Sequence, residues 1–155
     1  MTARISVSVQ ANDFDTGAEL AALRDDPAVG AIASFIGTVR DINAGADVSA
    51  LTLEHYPGMT EKALEEIAAQ AGERWPIDAV RIIHRVGALR PRDQIVLVAV
   101  SGRHRREVFD ACAFVMDYLK TEAPFWKKEV TPEGERWVEA RDEDEAARAR
   151  WEHGE

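Results

Sequence analysis

Three lysines fall within nine residues in the stretch Lys120-Thr-Glu-Ala-Pro-Phe-Trp-Lys-Lys-Glu129. Like charges crowded around one turn favour either loss of a proton from one amine or capture of an anion by the group. The first outcome gives a nucleophile or proton shuttle, the second a cradle for a phosphate or carboxylate. The same residues also suit a solvated helix end, where the macrodipole favours cations. Pro124 sets the geometry in every case. A helix running into Lys120 cannot continue through it, and the chain leaves extended through Phe125-Trp126.

A second cationic group, Ser101-Gly-Arg-His-Arg-Arg106, sits where a strand hands over to a helix N-terminus. Unpaired N–H groups there attract anions. Arginines at that end oppose the dipole, and a bound phosphate would offset the opposition; arginines facing water or distant acids are the alternative. Thr38-Val39-Arg40 ends a strand, where Arg40 is either a bidentate oxyanion clamp or an exposed strand-end residue. His55 and His84 lie in strand-like segments and read as packed or surface histidines. The four histidines have no metal-ligand spacing, so no metal is expected. Neither a Walker A nor a GxGxxG pattern is present, and no cofactor is expected. Cys112, the single cysteine, falls on the apolar stripe of its helix and reads as a buried structural thiol.

These groups need elements to hold them. Arg4–Gln10 alternates like a half-buried strand, and Asp13–Thr16 caps a short helix closed by Asp26-Pro27. Gly30–Arg40 reads as a second strand in which Gly37 marks a bulge or a close approach of backbone. Residues 41–47 form a loop and Val48–His55 a strand. A helix runs from Thr60 to about Trp75, and Pro76 ends it. Ala79–Val86 and Gln94–Val100 form a hairpin, its second strand apolar enough to be central. The helix His104–Lys120 carries Val108, Cys112, Val115 and Leu119 on one stripe. After the lysine stretch, residues 136–140 suggest a short strand, and from Asp142 the chain reads as a frayed helix or tail. The class is α+β (mixed α/β), a single compact domain over residues 1–141 with a charged C-terminal tail over 142–155.

His104 and Lys120 are sixteen residues apart on one helix, roughly 24 Å at about 1.5 Å per residue. A small ligand cannot touch both in one chain. If both serve one site, a two-fold dimer joins the helix N-terminus of one subunit to the lysine end of the other.

With 155 residues and a net charge of −9, the chain has room for a real core and little attraction for nucleic acid, whose binding rests on phosphate neutralisation. The charge is uneven: residues 81–106 hold seven arginines against one acid, which suits a small anionic ligand. No run of about eighteen apolar residues suggests a membrane span, the start lacks a signal-peptide core, and one cysteine excludes an internal disulfide. A cytoplasmic protein is expected.

Phe35-Ile-Gly-Thr-Val-Arg40, Leu51-Thr-Leu-Glu-His-Tyr-Pro-Gly-Met59, Ile83-His-Arg-Val-Gly87, His104-Arg105, Met116 through Lys128, and Arg136-Trp-Val-Glu-Ala-Arg141 together resemble the MoaE family, the large catalytic subunit of molybdopterin synthase. The resemblance spans nearly the whole chain. It implies an α/β hammerhead-type fold, a central homodimer, and two small ubiquitin-like sulfur-carrier subunits (MoaD-like) at its ends in a heterotetramer. The implied reaction moves sulfur from the thiocarboxylated C-terminal glycine of the carrier to cyclic pyranopterin monophosphate (precursor Z), building the dithiolene of molybdopterin for the molybdenum cofactor. By motif, Lys120 and Lys127 resemble the catalytic lysines. Thr38, Val39, Arg40, His104, Arg105, Lys128 and Glu129 resemble substrate-binding residues, and Arg141 an arginine contributed across the dimer. A groove beside Phe35 and Met116 would take the carrier's tail. The sulfur would come from that carrier, because Cys112 reads as buried and the terminal His153-Gly-Glu155 is not the Gly-Gly of a carrier. The alternative is a non-catalytic binding module for a phosphorylated small molecule or a partner protein's tail.

Overall fold

Alternating Ile5, Val7 and Val9 make Arg4–Gln10 a strand, β1, as their period of two requires. The computed structural model describes residues 2–43, 46–138 and 142–153. After β1 come α1 (Thr16–Leu23), β2 (Ala31–Thr38), the two-residue strands β3 (Ile42–Asn43) and β4 (Ala46–Asp47), and β5 (Ala50–His55). Then follow α2 (Met59–Arg74), β6 (Ile77–Arg85), β7 (Gly87–Leu89), β8 (Gln94–Gly102) and α3 (Arg105–Glu122). β9 (Phe125–Thr131), β10 (Gly134–Val138), α4 (Asp142–Ala149) and a 3-10 turn at Arg150–His153 complete the described chain.

The strands form two four-stranded sheets, ordered β1-β6-β8-β2 and β10-β9-β5-β7, besides the β3–β4 ribbon. β1 lies parallel to β6; the other pairings are antiparallel. β8 is central, and its apolar run faces two cores. Val96, Val98 and Val100 pack with Leu64, Ile67 and Ala71 of α2 and Val108, Cys112 and Val115 of α3. Leu97 and Ala99 point the other way, towards Leu23 of α1. The α+β class expected from the sequence is the class observed.

Gly37 is needed for two reasons. The register of β2 against β8 shifts between Gly37 and Thr38, and a Cβ there would lie 2.9 Å from Val96 Cγ1. β6 and β8 pair as the expected hairpin, with a difference. Their connection carries β7, which leaves to pair with β5 in the second sheet, so one hairpin stitches the two sheets together.

The segment read as a frayed helix or tail takes the helical alternative, as α4 and the 3-10 turn that follows it. Residues 142–153 are helical and packed on α3. Trp151 is buried, its Nε1–H donates to Asp117 Oδ2 at 2.8 Å, and its ring meets those of Trp75 and Phe114 edge-on. Arg148 Nε pairs with Glu122 Oε1 at 2.6 Å. One large ring outweighs the charged composition around it, since burying a side chain of that size contributes about 2–3 kcal/mol.

Candidate active site

Helix α3 stops for the reason its sequence gives. Ala123 precedes Pro124 and is extended, at φ −82° and ψ 135°. Lys120 therefore stands exposed in the last turn, and β9 begins at once with Phe125. The turn between them is pinned from below. Thr60, fully buried near the start of α2, donates from Oγ1 to the Pro124 carbonyl oxygen at 3.1 Å and accepts from the Tyr56 N–H at 3.0 Å. Phe125 N–H also donates to the Ala123 carbonyl at 2.9 Å.

Along β9 the period of two sorts the side chains. Phe125, Lys127 and Glu129 turn to one face, where they line a cavity of about 460 Å³ together with Lys120. The β2 end supplies Phe35 and Thr38-Val39-Arg40. Val39 N–H donates to the Asp93 carbonyl at 2.9 Å, and Val39 accepts from Arg92 N–H at 2.8 Å. Its side chain is buried with Leu51, Leu53 and Leu89, which anchors Arg40 beside the lysines. Leu51, Ile95 and Leu119 give the cavity an apolar wall.

Glu129 is 5% exposed and accepts from Arg136 Nε at 3.2 Å, with Arg136 Nη2 at 3.1 Å. Directly opposed in the register, the two form a forked ion pair that keeps a carboxylate close to Lys127 without leaving it uncompensated. His84 is buried on the cavity's edge and stacks on Phe125 with ring centroids 3.7 Å apart. Burial pushes its imidazole from the usual 6.5 down to about 4; the Arg85 carbonyl opposes this, and Lys120, Lys127 and His55 add to it. Burial likewise pushes the Cys112 thiol up to about 11. A cationic, partly apolar pocket with one neutral imidazole can bind an anion and stabilise developing negative charge.

Comparison with known proteins decides the lineage. A profile described as "MoaE protein" matches residues 9–122. The chain belongs to the MoaE family. It is 64% identical over 147 residues to the molybdopterin synthase catalytic subunit of Ralstonia nicotianae, covering 94% of this chain and 84% of that one. The molybdopterin biosynthesis MoaE protein from Burkholderia ambifaria superposes with a TM-score of 0.82 at 62% identity, covering 96% of this chain and 98% of that one. Molybdopterin synthase from Staphylococcus aureus gives 0.79 at 31% identity, covering 85% and 96%. This MoaE chain is thus an enzyme of the molybdopterin synthase catalytic-subunit type, in molybdenum cofactor biosynthesis. The reading as a non-catalytic binding module falls away.

Within the MoaE chain the residues singled out from sequence divide into two groups. Lys120, Lys127, Thr38, Val39, Arg40, Glu129 and Phe35 meet at the cavity. The others do not. His104 caps the far end of α3 and Arg105 opens its first turn, both exposed. Lys128 faces away from Lys127, its Nζ 3.4 Å from Glu135 Oε2 and 5.2 Å from the centre of the Trp137 ring. Adjacent positions on a strand cannot share a face, so the Lys127-Lys128-Glu129 segment contributes alternate members. Met116 is packed in the core beneath α3 rather than lining the cavity with Phe35. Arg141 lies outside the described residues.

His84 and Asp144 also line the cavity. His84 is packed, one of the two readings its sequence position allowed, and Asp144 was not singled out. The signal for His84 was a histidine inside an otherwise apolar strand, where an unpartnered imidazole is costly. Asp144 belongs to the segment read as a tail and had no signal of its own. No described helix is long and apolar enough to cross a membrane.

Proposed function

We propose that this MoaE chain takes sulfur from the thiocarboxylated C-terminal glycine of a small ubiquitin-like carrier subunit and adds it to cyclic pyranopterin monophosphate, building the dithiolene of molybdopterin. The observation that carries the reading is the meeting of Lys120, Lys127 and Arg40 in one cavity with an apolar wall. Each carrier gives one sulfur. The thiocarboxylate sulfur bonds to a pterin side-chain carbon that loses an oxygen substituent. Water cleaves the acyl–sulfur bond so that the carrier leaves as its carboxylate, and a second carrier repeats the step. Both bond changes need proton transfer and a counter-charge for the negative charge that develops. Lys120 and Lys127 serve those needs, while Thr38, Val39, Arg40 and Glu129 hold the substrate. Phe35, 42% exposed at the cavity, guides the carrier's tail. An external sulfur donor fits a chain whose cysteine is buried and poorly ionised.

The site is composite in this reading. His104 and Arg105 are a helix length away from Lys120, so a two-fold homodimer brings them to the cavity of the neighbouring subunit, with Lys128 and Arg141 as further substrate contacts. Two carriers on that dimer make a heterotetramer, acting in the cytoplasm.

Reconstitution with thiocarboxylated carrier and cyclic pyranopterin monophosphate tests the proposal. Dithiolene product is expected from the wild type and a fall of about 100-fold or more from Lys120→Ala and Lys127→Ala. No product with a verified carrier would sink it. An isopeptide adduct between carrier and enzyme that disappears in Lys120→Ala would support the closeness of that amine to the acyl group.

A further inference from the structure

His84 has no part in the sulfur-transfer reading above, yet its surroundings are unusually constrained. Its ring is 5% exposed and lies nearly parallel to that of Phe125, 17° off. Nδ1 is 2.8 Å from the Arg85 carbonyl oxygen. A carbonyl oxygen can only accept, so Nδ1 carries the hydrogen and Nε2 holds the ring's lone pair. The backbone thereby fixes the tautomer. Among the described residues Nε2 meets no donor, and it is not one of the buried unpartnered atoms, so its lone pair opens onto the cavity that His84 lines and is available to a donor there. The charged and titratable groups acting on this ring are Lys120, Lys127 and His55, with Lys120 the strongest, and both lysines line the same cavity as His84.

We propose that His84 is a positioning residue for Lys120: Nε2 accepts a hydrogen bond from the lysine ammonium and aims it into the cavity, while the stack on Phe125 fixes the start of β9 and with it Lys127. The inference rests on the sulfur-transfer reading of the cavity. It assigns an orienting role and excludes that of a base. An imidazole that gains a proton only near pH 4 is far too weak to take one from an ammonium at neutral pH. Remaining neutral also spares the cavity a fourth positive charge beside Lys120, Lys127 and Arg40.

The test compares wild type, His84→Phe and His84→Gln, each with thiocarboxylated carrier and cyclic pyranopterin monophosphate. Phenylalanine keeps a flat ring on Phe125 and removes the acceptor; glutamine returns an acceptor oxygen near the Nε2 position. His84→Phe is expected to keep KM within about twofold and lose about 10- to 100-fold in kcat. His84→Gln should recover about tenfold of that loss. Wild-type kcat in His84→Phe, or no recovery in His84→Gln, overturns the inference. A wild type that makes no product counts instead against the sulfur-transfer reading. If both variants unfold, nitrogen NMR of the otherwise native chain decides. A neutral Nδ1–H ring whose Nε2 resonance shifts in Lys120→Ala supports the role, and an Nε2–H ring or an unmoved resonance overturns it.

Discussion

Thr60 Oγ1 donates to the carbonyl of Pro124 at 3.1 Å, and this one bond ties the start of α2 to the turn that separates Lys120 from Lys127. Removing it leaves the Pro124 carbonyl and the Tyr56 N–H without their buried partner. Thr60→Val is expected to cost about 1–3 kcal/mol, read as a lower urea midpoint at unchanged slope. Thr60→Ser should restore most of it. Sulfur transfer should fall in Thr60→Val even under conditions where the variant is fully folded, because the turn sets the spacing of the lysines.

His84 predicts a pH dependence of stability. Its native imidazole charges only near pH 4, against 6.5 ordinarily, so between those values the unfolded chain binds more protons than the folded one. The contribution, on the order of 3 kcal/mol, is complete above about pH 6.5 and is lost as the pH falls through about 4. Unfolding free energies of wild type and His84→Phe measured from pH 7 to 4 should converge or cross as the pH drops. Parallel curves would show that His84 is not the group responsible.

Cys112 should be inert. With its thiol pushed up to about 11 and buried beneath α3, it should resist iodoacetamide at pH 8 until the chain unfolds. Cys112→Ala should cost about 1 kcal/mol and leave sulfur transfer intact. Loss of transfer in a folded Cys112→Ala protein would mean that sulfur passes through this chain.

Trp151→Ala should release α4. The ring's contacts with Trp75 and Phe114 and its bond to Asp117 hold the segment that brings Asp144 to the cavity. A loss of about 3–5 kcal/mol is expected for truncating so large a buried ring. Protease should then cut within residues 142–153 well before the rest of the chain.

Much of this fold is legible in the sequence because each element's period, breaker and apolar face agree. The central position of β8 shows in its unbroken apolar run, the end of α3 in Pro124, and the β2 irregularity in Gly37. β7 is only three residues long, too short for a period to show, and its pairing with β5 is a tertiary choice. Docking of α4 hangs on one tryptophan in a charged run, which composition averages away. In the site, the two lysines and Arg40 are legible as charges near breakers. The place of His84 at the cavity is not, because its stack on Phe125 exists only once β6 and β9 are brought together. Lys128 looks equal to Lys127 in a linear reading, and only the alternation along β9 separates them.

The most direct test of the composite site mixes two inactive forms. Lys120→Ala and His104→Ala chains, co-folded so that they exchange subunits, are assayed for dithiolene product with thiocarboxylated carrier. A site shared across a two-fold dimer predicts that mixed dimers regain one intact site of two, restoring about a quarter of wild-type activity at random pairing. Activity no greater than that of the two variants assayed separately would contradict it.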